Sequence, residues 1–344
     1  MVRIGLVGIG FMGYIHYLAA QKLRGARVTA ICSRDEAKRN GDWRSIRGNF
    51  GPPGQMMNLS GVKKYAAIDE LLADPDIDLI DVCNPTNAHP DTAIRGLNAG
   101  KHVLVEKAIA LSAEQADSML SAAQKAGKLL MVAHVLPFFP EFDYAYQAVT
   151  SGRYGPLLGG HLRRVIAKPD WSAAIGDADA TGGPAVDLHI HDTHFIGLIA
   201  GVPRAVFSTG RVEGQAVNYL TTSYLYPSGG PAITCSSGAV SQSGRPFVHG
   251  YELYFEKATL TYDSGGTPLT VFTHDGQSDQ PKLGDGDPIV AFTKELQTAV
   301  DSIPSGVAPM LLSGKLARDA LVLCHKECES VKTGQIVPMS ARGL

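Results

Sequence analysis

At 344 residues, with 44% apolar and 19% charged residues, the chain has the composition of an ordinary soluble globular protein and enough length for two cores. A formal net charge of -2 supplies no global attraction to nucleic acid or to an anionic membrane, so neither is expected as a partner. No run reaches the roughly 18 apolar residues of a membrane span and the N-terminus reads as strand and glycine turn, so a cytoplasmic chain is expected, with its five cysteines reduced.

The first thirteen residues are the most informative. Ile4-Gly5-Leu6-Val7 is a short apolar strand that runs into Gly8-Ile9-Gly10-Phe11-Met12-Gly13 and then a helical pattern from Tyr14 to Leu23. This is the G-x-G-x-x-G dinucleotide fingerprint in the context it requires, after a strand and opening a helix. Gly8 permits the tight turn, Gly10 lets backbone approach a pyrophosphate, and Gly13 lets helix and strand pack closely, with Phe11 and Met12 supplying N–H groups at the helix start.

A second strand, Ala26 to Cys32, completes a βαβ unit. At its end, where the ribose-recognising residue belongs, stand Ser33 and Arg34, followed by Asp35. Arg34 and Ser33 suit the 2′-phosphate of NADP, whereas Asp35, one residue late, suits the ribose hydroxyls of NAD; the balance favours NADP narrowly. Residues 41–60 are rich in turn formers and interrupt the return to a strand near Val62 to Tyr65, either to cover the adenosine end of the cofactor or as surface elaboration. Ile68 to Leu72 is helical, and Leu79 to Cys83 is a buried strand. Asn84, Pro85 and His89 follow it, beyond the carboxyl end where parallel sheets bind ligands. A helix from Asp91 to Ala99 leads to the strand His102 to Val105, which delivers Glu106 and Lys107 to the same edge. A lysine and a glutamate at a buried strand end are costly unless paired, which points to function.

From about Met131 the pattern changes, placing a dinucleotide-binding domain at 1–130 and a second domain at 131–344. A helix from Glu141 to Gly152 precedes strand-like runs at Leu157 to Ala167, Arg204 to Val212, Asn218 to Tyr226, Ala232 to Ser237 and Tyr251 to Tyr262. The reading is an α/β chain: a Rossmann domain followed by an α+β domain with an open, mostly antiparallel sheet. The segment from Ile289 to Val331 is helical again. Between the strands, Thr181-Gly182-Gly183-Pro184 opens an apolar helix from Ala185 to Gly201. On such a helix Asp187, His191 and His194 share one face, and His189 and Asp192 another. A histidine one turn after an aspartate can have its tautomer fixed by that carboxylate and act as a base near neutral pH. Although this cluster has imidazole and carboxylate donors, His189 points away from His191, and no metal is expected. Trp171 is placed to stack on a sugar or the nicotinamide, or to pack within its loop.

Three separated signals together give the chain a family resemblance. They are Gly8-x-Gly10-x-x-Gly13 with His16 shortly after; Asn84-Pro85-Thr86-x-x-His89 followed by Ala99 to Lys107; and Gly182 to Asp187 with His191-Asp192 four residues on. In this order the chain resembles the glucose–fructose oxidoreductase/inositol dehydrogenase/rhizopine catabolism (Gfo/Idh/MocA) family across nearly its whole length. The resemblance implies that Lys107 contacts the substrate hydroxyl and the nicotinamide ribose, and that Asp187 and His191 lie beside the reacting carbon. It also implies a dimer or tetramer formed through the second domain's sheet. Two departures stand out: Ala108 replaces the usual proline after the lysine, and Pro137, following His134, occupies a position where relatives often carry a pocket arginine.

The function expected on these grounds is hydride transfer between NADP or NAD and a secondary alcohol of a sugar, cyclitol or glycoside. Lys107, Asp187 and His191 are the expected catalytic residues. The cofactor is expected to lie against Gly8, Gly10, Phe11, Met12, Gly13, Ser33, Arg34, Asn84, Pro85, His89, Glu106 and Lys107. The expected substrate contacts are Lys107, His134, Trp171, Asp187 and His191. Two rival readings keep the same fold. One is an enzyme that oxidises a sugar derivative transiently with tightly bound NAD and then eliminates or hydrolyses a bond; the other is a dinucleotide-binding regulator without turnover.

Overall fold

The computed structural model describes residues 1–168, 181–284 and 286–339. Its N-terminal part alternates short buried strands with helices: β1 (Val2–Val7), α1 (Phe11–Ala20), β2 (Ala26–Cys32), α2 (Glu36–Arg39), β3 (Lys63–Tyr65), α3 (Ile68–Leu72), β4 (Leu79–Val82), α4 (His89–Asn98), β5 (His102–Glu106), α5 (Ala113–Ala126) and β6 (Leu130–Ala133). All neighbouring strands run parallel, in the order β3-β2-β1-β4-β5-β6. Every residue of β4 and β6 is buried, as parallel strands covered on both faces demand. The strand order reverses between β1 and β4, and the crevice beyond their carboxyl ends is the ligand position of a doubly wound sheet. Helix α5 carries a complete capping box, Ser112 with Gln115, and ends on a left-handed Gly127.

The segment 41–60 is anchored in this sheet's hydrophobic core. Trp43 has no exposed surface and sits edge-on between Tyr14 and Tyr17 of α1, at ring-centroid distances of 5.8 and 4.9 Å. Its Nε1 donates to the Lys38 carbonyl at 2.7 Å, and Ile46 and Leu59 are buried in the same cluster. Further along, Phe50 lies edge-on to Phe11, the first residue of α1, at 4.8 Å.

The second part begins with α6 (Pro140–Ser151), β7 (Leu157–Ala167), α7 (Pro184–Asp187) and α8 (Ile190–Ala200). Strands β8 (Ala205–Glu213), β9 (Ala216–Leu225), β10 (Ala232–Ser241), β11 (Val248–Phe255), β12 (Ala258–Asp263), β13 (Thr267–Thr273) and β14 (Ser278–Asp279) follow. Helices α9 (Pro288–Ser302) and α10 (Gly314–Thr333) and the strand β15 (Val337–Pro338) close the chain. Nine strands form one sheet in the order β14-β13-β12-β11-β7-β10-β9-β8-β15, antiparallel throughout except for the parallel pair β7–β10. Along β9 the residues Leu220, Thr222 and Tyr224 are buried while their neighbours are half-buried, the alternation of a sheet covered on one face. The Arg164 guanidinium of β7 and the Asp192 carboxylate of α8, both buried, join on the covered side.

Four expectations change. Tyr251 to Tyr262 is a hairpin, not one run: β11 and β12 turn at Glu256 and Lys257, the polar pair between two alternating stretches, and Tyr251 faces Tyr262. Ala185 to Gly201 is two helices, because Leu188 and His189 form a turn in which the His189 N–H reaches back to the Pro184 carbonyl at 3.1 Å. The boundary expected between residues 130 and 131 would cut β6 from its partner β5, with which it pairs from Val103↔Leu130 to Glu106↔Ala133. The chain instead divides into Met1–Phe138 with Asp287–Arg318, and Phe139–Gly286 with the segment from Asp319 onward. The closing helical segment is likewise two helices, and α9 contributes to the first unit's core.

Candidate active site

The glycine turn after β1 has the shape its three glycines require. Gly8 adopts a φ of +93°, and a Cβ there would lie 2.7 Å from the Asn84 nitrogen; a Cβ on Gly13 would lie 2.0 Å from the Gly8 carbonyl oxygen. Gly10 differs, since a Cβ there would meet nothing within 4 Å. The protein therefore fills the space beside Gly8 and Gly13 and leaves it free beside Gly10. Gly10 is also the N-cap of α1 and provides no side-chain cap, which leaves the first N–H groups of the helix to an anion. The amides of Phe11 and Met12 belong to that set, while the Phe11 ring packs on the 41–60 segment.

At the end of β2, Asp35 caps α2 by accepting from the Lys38 N–H at 3.1 Å, and Ser33 Oγ accepts from the Asp35 N–H at 3.3 Å. Arg39 donates to the Ser33 and Arg34 carbonyls, both at 2.8 Å, so the turn is braced and the Arg34 side chain stands exposed.

After β4, the Asn84 amide nitrogen donates to Thr92 Oγ1 at 2.8 Å, whereas its Oδ1 is buried with no hydrogen-bond partner among the described residues. A buried acceptor of this kind is costly unless a ligand supplies its donor. With the open side of Gly10, it fits a hydroxyl- and phosphate-bearing dinucleotide at this sheet edge. Pro85 is exposed beside it. His89 is buried, its Nδ1 2.8 Å from the Ala108 carbonyl oxygen and its Nε2 2.9 Å from that of Asn84; burial lowers its pKa. The neutral ring donates to one of these carbonyls, packs against the other and offers no surface to a cofactor.

Glu106 is buried at the end of β5. Its Oε1 lies 3.1 Å from His16 Nε2, and its Oε2 accepts from the Lys107 backbone N–H at 2.9 Å. Lys107 itself is half-buried, and the Lys107–Ala108 peptide is cis. Ala108 occupies the position discussed above, and its carbonyl lies against the His89 ring. His134, at the end of β6, is fully buried and presents no accessible surface.

In the second unit, Gly182 and Gly183 take left-handed φ values of +82° and +73°, and Pro184 opens α7. Asp187 ends that short helix and His191 lies one turn on; both are half-buried. The residues between them turn inward. His189 has no exposed surface and pairs with Glu327 at 2.8 Å; burial works against its charge, but Glu327 outweighs that and raises its pKa. Asp192 is committed to Arg164. His194 is buried and pushed down to about 3 by desolvation. The turn at Leu188 and His189 thus separates an inward pair, His189 and Asp192, from Asp187 and His191. Trp171 lies outside the described residues.

Among the described residues, two buried groups bring together metal-ligating atoms, His16 with Asp81 and Cys83, and His189 with Asp192 and Cys235. Hydrogen bonds and ion pairs account for both, since Asp192 is neutralised by Arg164 and His16 sits between carboxylates. Sequence reasoning passed over Asp81 and Glu295, both buried beside His16. The signal available was an aspartate inside the otherwise apolar strand Leu79–Val82.

A family model described as an oxidoreductase family with an NAD-binding Rossmann fold, GFO_IDH_MocA, matches residues 2–134. The first 134 residues therefore match the Gfo/Idh/MocA dinucleotide-binding domain. Myo-inositol 2-dehydrogenase of Thermotoga maritima is 26% identical over 98% of this chain and 100% of its own length. Inositol 2-dehydrogenase of Rhizobium meliloti is also 26% identical, over 96% and 97%. Among solved structures, levoglucosan dehydrogenase in complex with NADH and levoglucosan aligns with a TM-score of 0.82 at 18% identity, covering 98% of this chain and 99% of that one. An oxidoreductase from Agrobacterium radiobacter in complex with NAD+, L-tartaric acid and magnesium aligns at 0.83 and 19%, covering 98% of each chain. These likenesses establish the fold and, over residues 2–134, the match to an NAD-binding Rossmann domain. Among the described residues, no helix is long and apolar enough to cross a membrane.

Proposed function

We propose that this protein is an NAD(P)-dependent dehydrogenase of the Gfo/Idh/MocA family acting on a secondary alcohol of a sugar, cyclitol or glycoside. The observation that carries the reading is Lys107: a half-buried lysine at the carboxyl end of β5, its backbone N–H held by Glu106 and the next carbonyl set against the His89 ring. When bound, the nicotinamide supplies the hydride acceptor or donor. The N–H groups after Gly10 hold the pyrophosphate, and Asn84 Oδ1 accepts from a ligand hydroxyl. Lys107 stabilises the negative charge that develops on the substrate oxygen. His191 takes the hydroxyl proton, and Asp187 hydrogen-bonds the substrate or orients His191. Exposed Arg34 and the capping role of Asp35 favour NADP over NAD by a narrow margin. The inositol and levoglucosan dehydrogenases among the relatives support a polyol-like substrate.

Binding of NAD, NADH, NADP and NADPH to cofactor-stripped protein, followed by turnover on myo-inositol, levoglucosan and related polyols, tests the reading. Lys107→Met is expected to lower turnover by about 100-fold or more, with dinucleotide affinity changed less than about threefold. A turnover loss below about tenfold removes Lys107 from its role. A dinucleotide that co-purifies and resists exchange indicates internal recycling of the hydride, and no dinucleotide binding at all overturns the enzyme reading. We also place a homo-oligomer contact on the open face of the nine-stranded sheet, where Phe207, Tyr254 and Phe272 are exposed.

A further inference from the structure

Beneath the dinucleotide turn lies a buried chain of polar groups. His16 is on α1, six residues after the N-cap Gly10. Its Nδ1 lies 3.0 Å from each oxygen of Asp81 on β4, and its Nε2 lies 3.1 Å from Glu106 Oε1. The other Glu106 oxygen accepts from the Lys107 backbone N–H at 2.9 Å. Ionised carboxylates only accept hydrogen bonds, so the ring satisfies both neighbours when both of its nitrogens carry protons. Buried polar chains of this kind are strong when every member is satisfied and costly when one is removed.

We propose that His16, anchored by Asp81, is a positioning residue for the hydride-transfer step: it fixes the Glu106 carboxylate and, through it, the backbone from which Lys107 projects. The proposal rests on the reading of Lys107 given above. It also accounts for why the dinucleotide-binding helix and the lysine-bearing strand are joined by a hydrogen-bond chain, since a small displacement of either relative to the other degrades the reacting geometry.

The groups facing His16 define its charge state. They are Asp81 and Cys83 on β4, Glu106 on β5 and Glu295 on α9, with the Phe292 ring 5.9 Å away. Burial disfavours the charged ring, but Asp81 outweighs it, and His16 is held well above the ordinary histidine range. Glu295 is buried with neither oxygen hydrogen-bonded among the described residues. Burial pushes its pKa well up, against the opposing pull of His16 and with Glu106 and Asp81 adding to the rise, so Glu295 is a neutral acid and adds no third negative charge. Cys83 is pushed up in the same way and remains a thiol. The chain Asp81–His16–Glu106 is then an imidazolium between two carboxylates.

The test uses full-length protein and the variants His16→Gln, Asp81→Asn and Lys107→Met. Turnover is measured on whichever of myo-inositol, levoglucosan and L-sorbose the wild type oxidises, NADH and NADPH binding by fluorescence, and the Lys107 amine by NMR of 13C-dimethylated lysines. His16→Gln is expected to lower kcat by about 30- to 100-fold with dinucleotide affinity within about threefold, and to shift the Lys107 resonance while leaving the other lysines in place. A support role in the fold alone predicts the reverse: a lower melting temperature, a kcat within about threefold of wild type and an unmoved Lys107 resonance. That result overturns the proposal even where Lys107→Met abolishes turnover.

Should Lys107→Met retain turnover, the reading of Lys107 fails, and the resonance shift alone decides whether His16 positions that residue. Should His16→Gln fail to fold, Asp81→Asn decides through its pH profile. Without its main counter-charge His16 deprotonates at lower pH, so the alkaline loss of kcat sets in at lower pH than in the wild type. An Asp81→Asn profile superimposable on wild type overturns the proposal.

Discussion

Gly10 and Gly13 are two glycines of one motif with different duties, and substitution separates them. Gly10 has an ordinary φ of −103° and open space beside it, whereas a Cβ on Gly13 would meet the Gly8 carbonyl at 2.0 Å. Gly10→Ala is therefore expected to leave the melting temperature within about 2 °C and to weaken dinucleotide binding by about tenfold or more, because the new methyl occupies the phosphate's approach. Gly13→Ala is expected to lower both, since β1 and α1 must part to admit it. Differential scanning fluorimetry with and without NADH checks the pair, and equal thermal losses in the two variants contradict the assignment. The turn and close approach at Gly8 and Gly13 were legible from spacing alone. The role of His89 was not: its position after Asn84-Pro85 suggested a cofactor contact, but its ring is spent on the carbonyls of Asn84 and Ala108.

At the scale of elements, the segment 41–60 shows how a turn-rich stretch can hide a core. Gly51-Pro52-Pro53-Gly54 reads as surface, yet Trp43 is fully buried against Tyr14 and Tyr17, and the Tyr14 hydroxyl donates to the Pro53 carbonyl at 3.1 Å. Trp43→Ala is expected to destabilise the first unit by about 3–5 kcal/mol, the cost of emptying a large buried site. Urea denaturation followed by circular dichroism measures it; a loss under about 1 kcal/mol would mean that the segment does not belong to the core. The turn between α7 and α8 is a second case. Helical periodicity correctly set His189 and Asp192 apart from Asp187 and His191, but only the buried partners Glu327 and Arg164 show what the inward face is for.

Across the whole molecule, buried histidines of two kinds shape the response to pH. His194 and His249 are held neutral, pushed down to about 3 by burial. Their unfolded forms take up protons below about pH 6.5, so the stability they contribute is present above that value and lost as pH falls, by up to about 1.4 kcal/mol per pH unit for each. His16 and His189 are shifted the opposite way by their carboxylates. Their contribution is fully present below about pH 6.5 and is lost as pH rises through their raised folded values. The urea midpoint is thus expected to fall on both sides of neutrality, measured at about pH 4.5, 6.5 and 9; a midpoint that climbs steadily to pH 9 would contradict the charged state of His16 and His189. The open sheet face belongs to this scale too. Sedimentation velocity is expected to find a dimer or larger assembly for the wild type and a monomer for Tyr254→Glu with Phe272→Glu, and an unchanged assembly in that variant places the contact elsewhere.

By itself the sequence determined the Rossmann sheet, the dinucleotide turn and the candidacy of Lys107, Asp187 and His191. These depend on local rules: strand periodicity, glycine spacing and the cost of charge at a buried strand end. Tertiary structure decided the membership of the units, because β6 and α9 are assigned by what they pack on rather than by their own pattern. It also decided which polar residues keep accessible surface. Glu106 and Lys107 are adjacent in the chain, yet one is buried between His16 and a backbone N–H and the other is half-buried, a division made by neighbours that lie some 90 residues away in the chain.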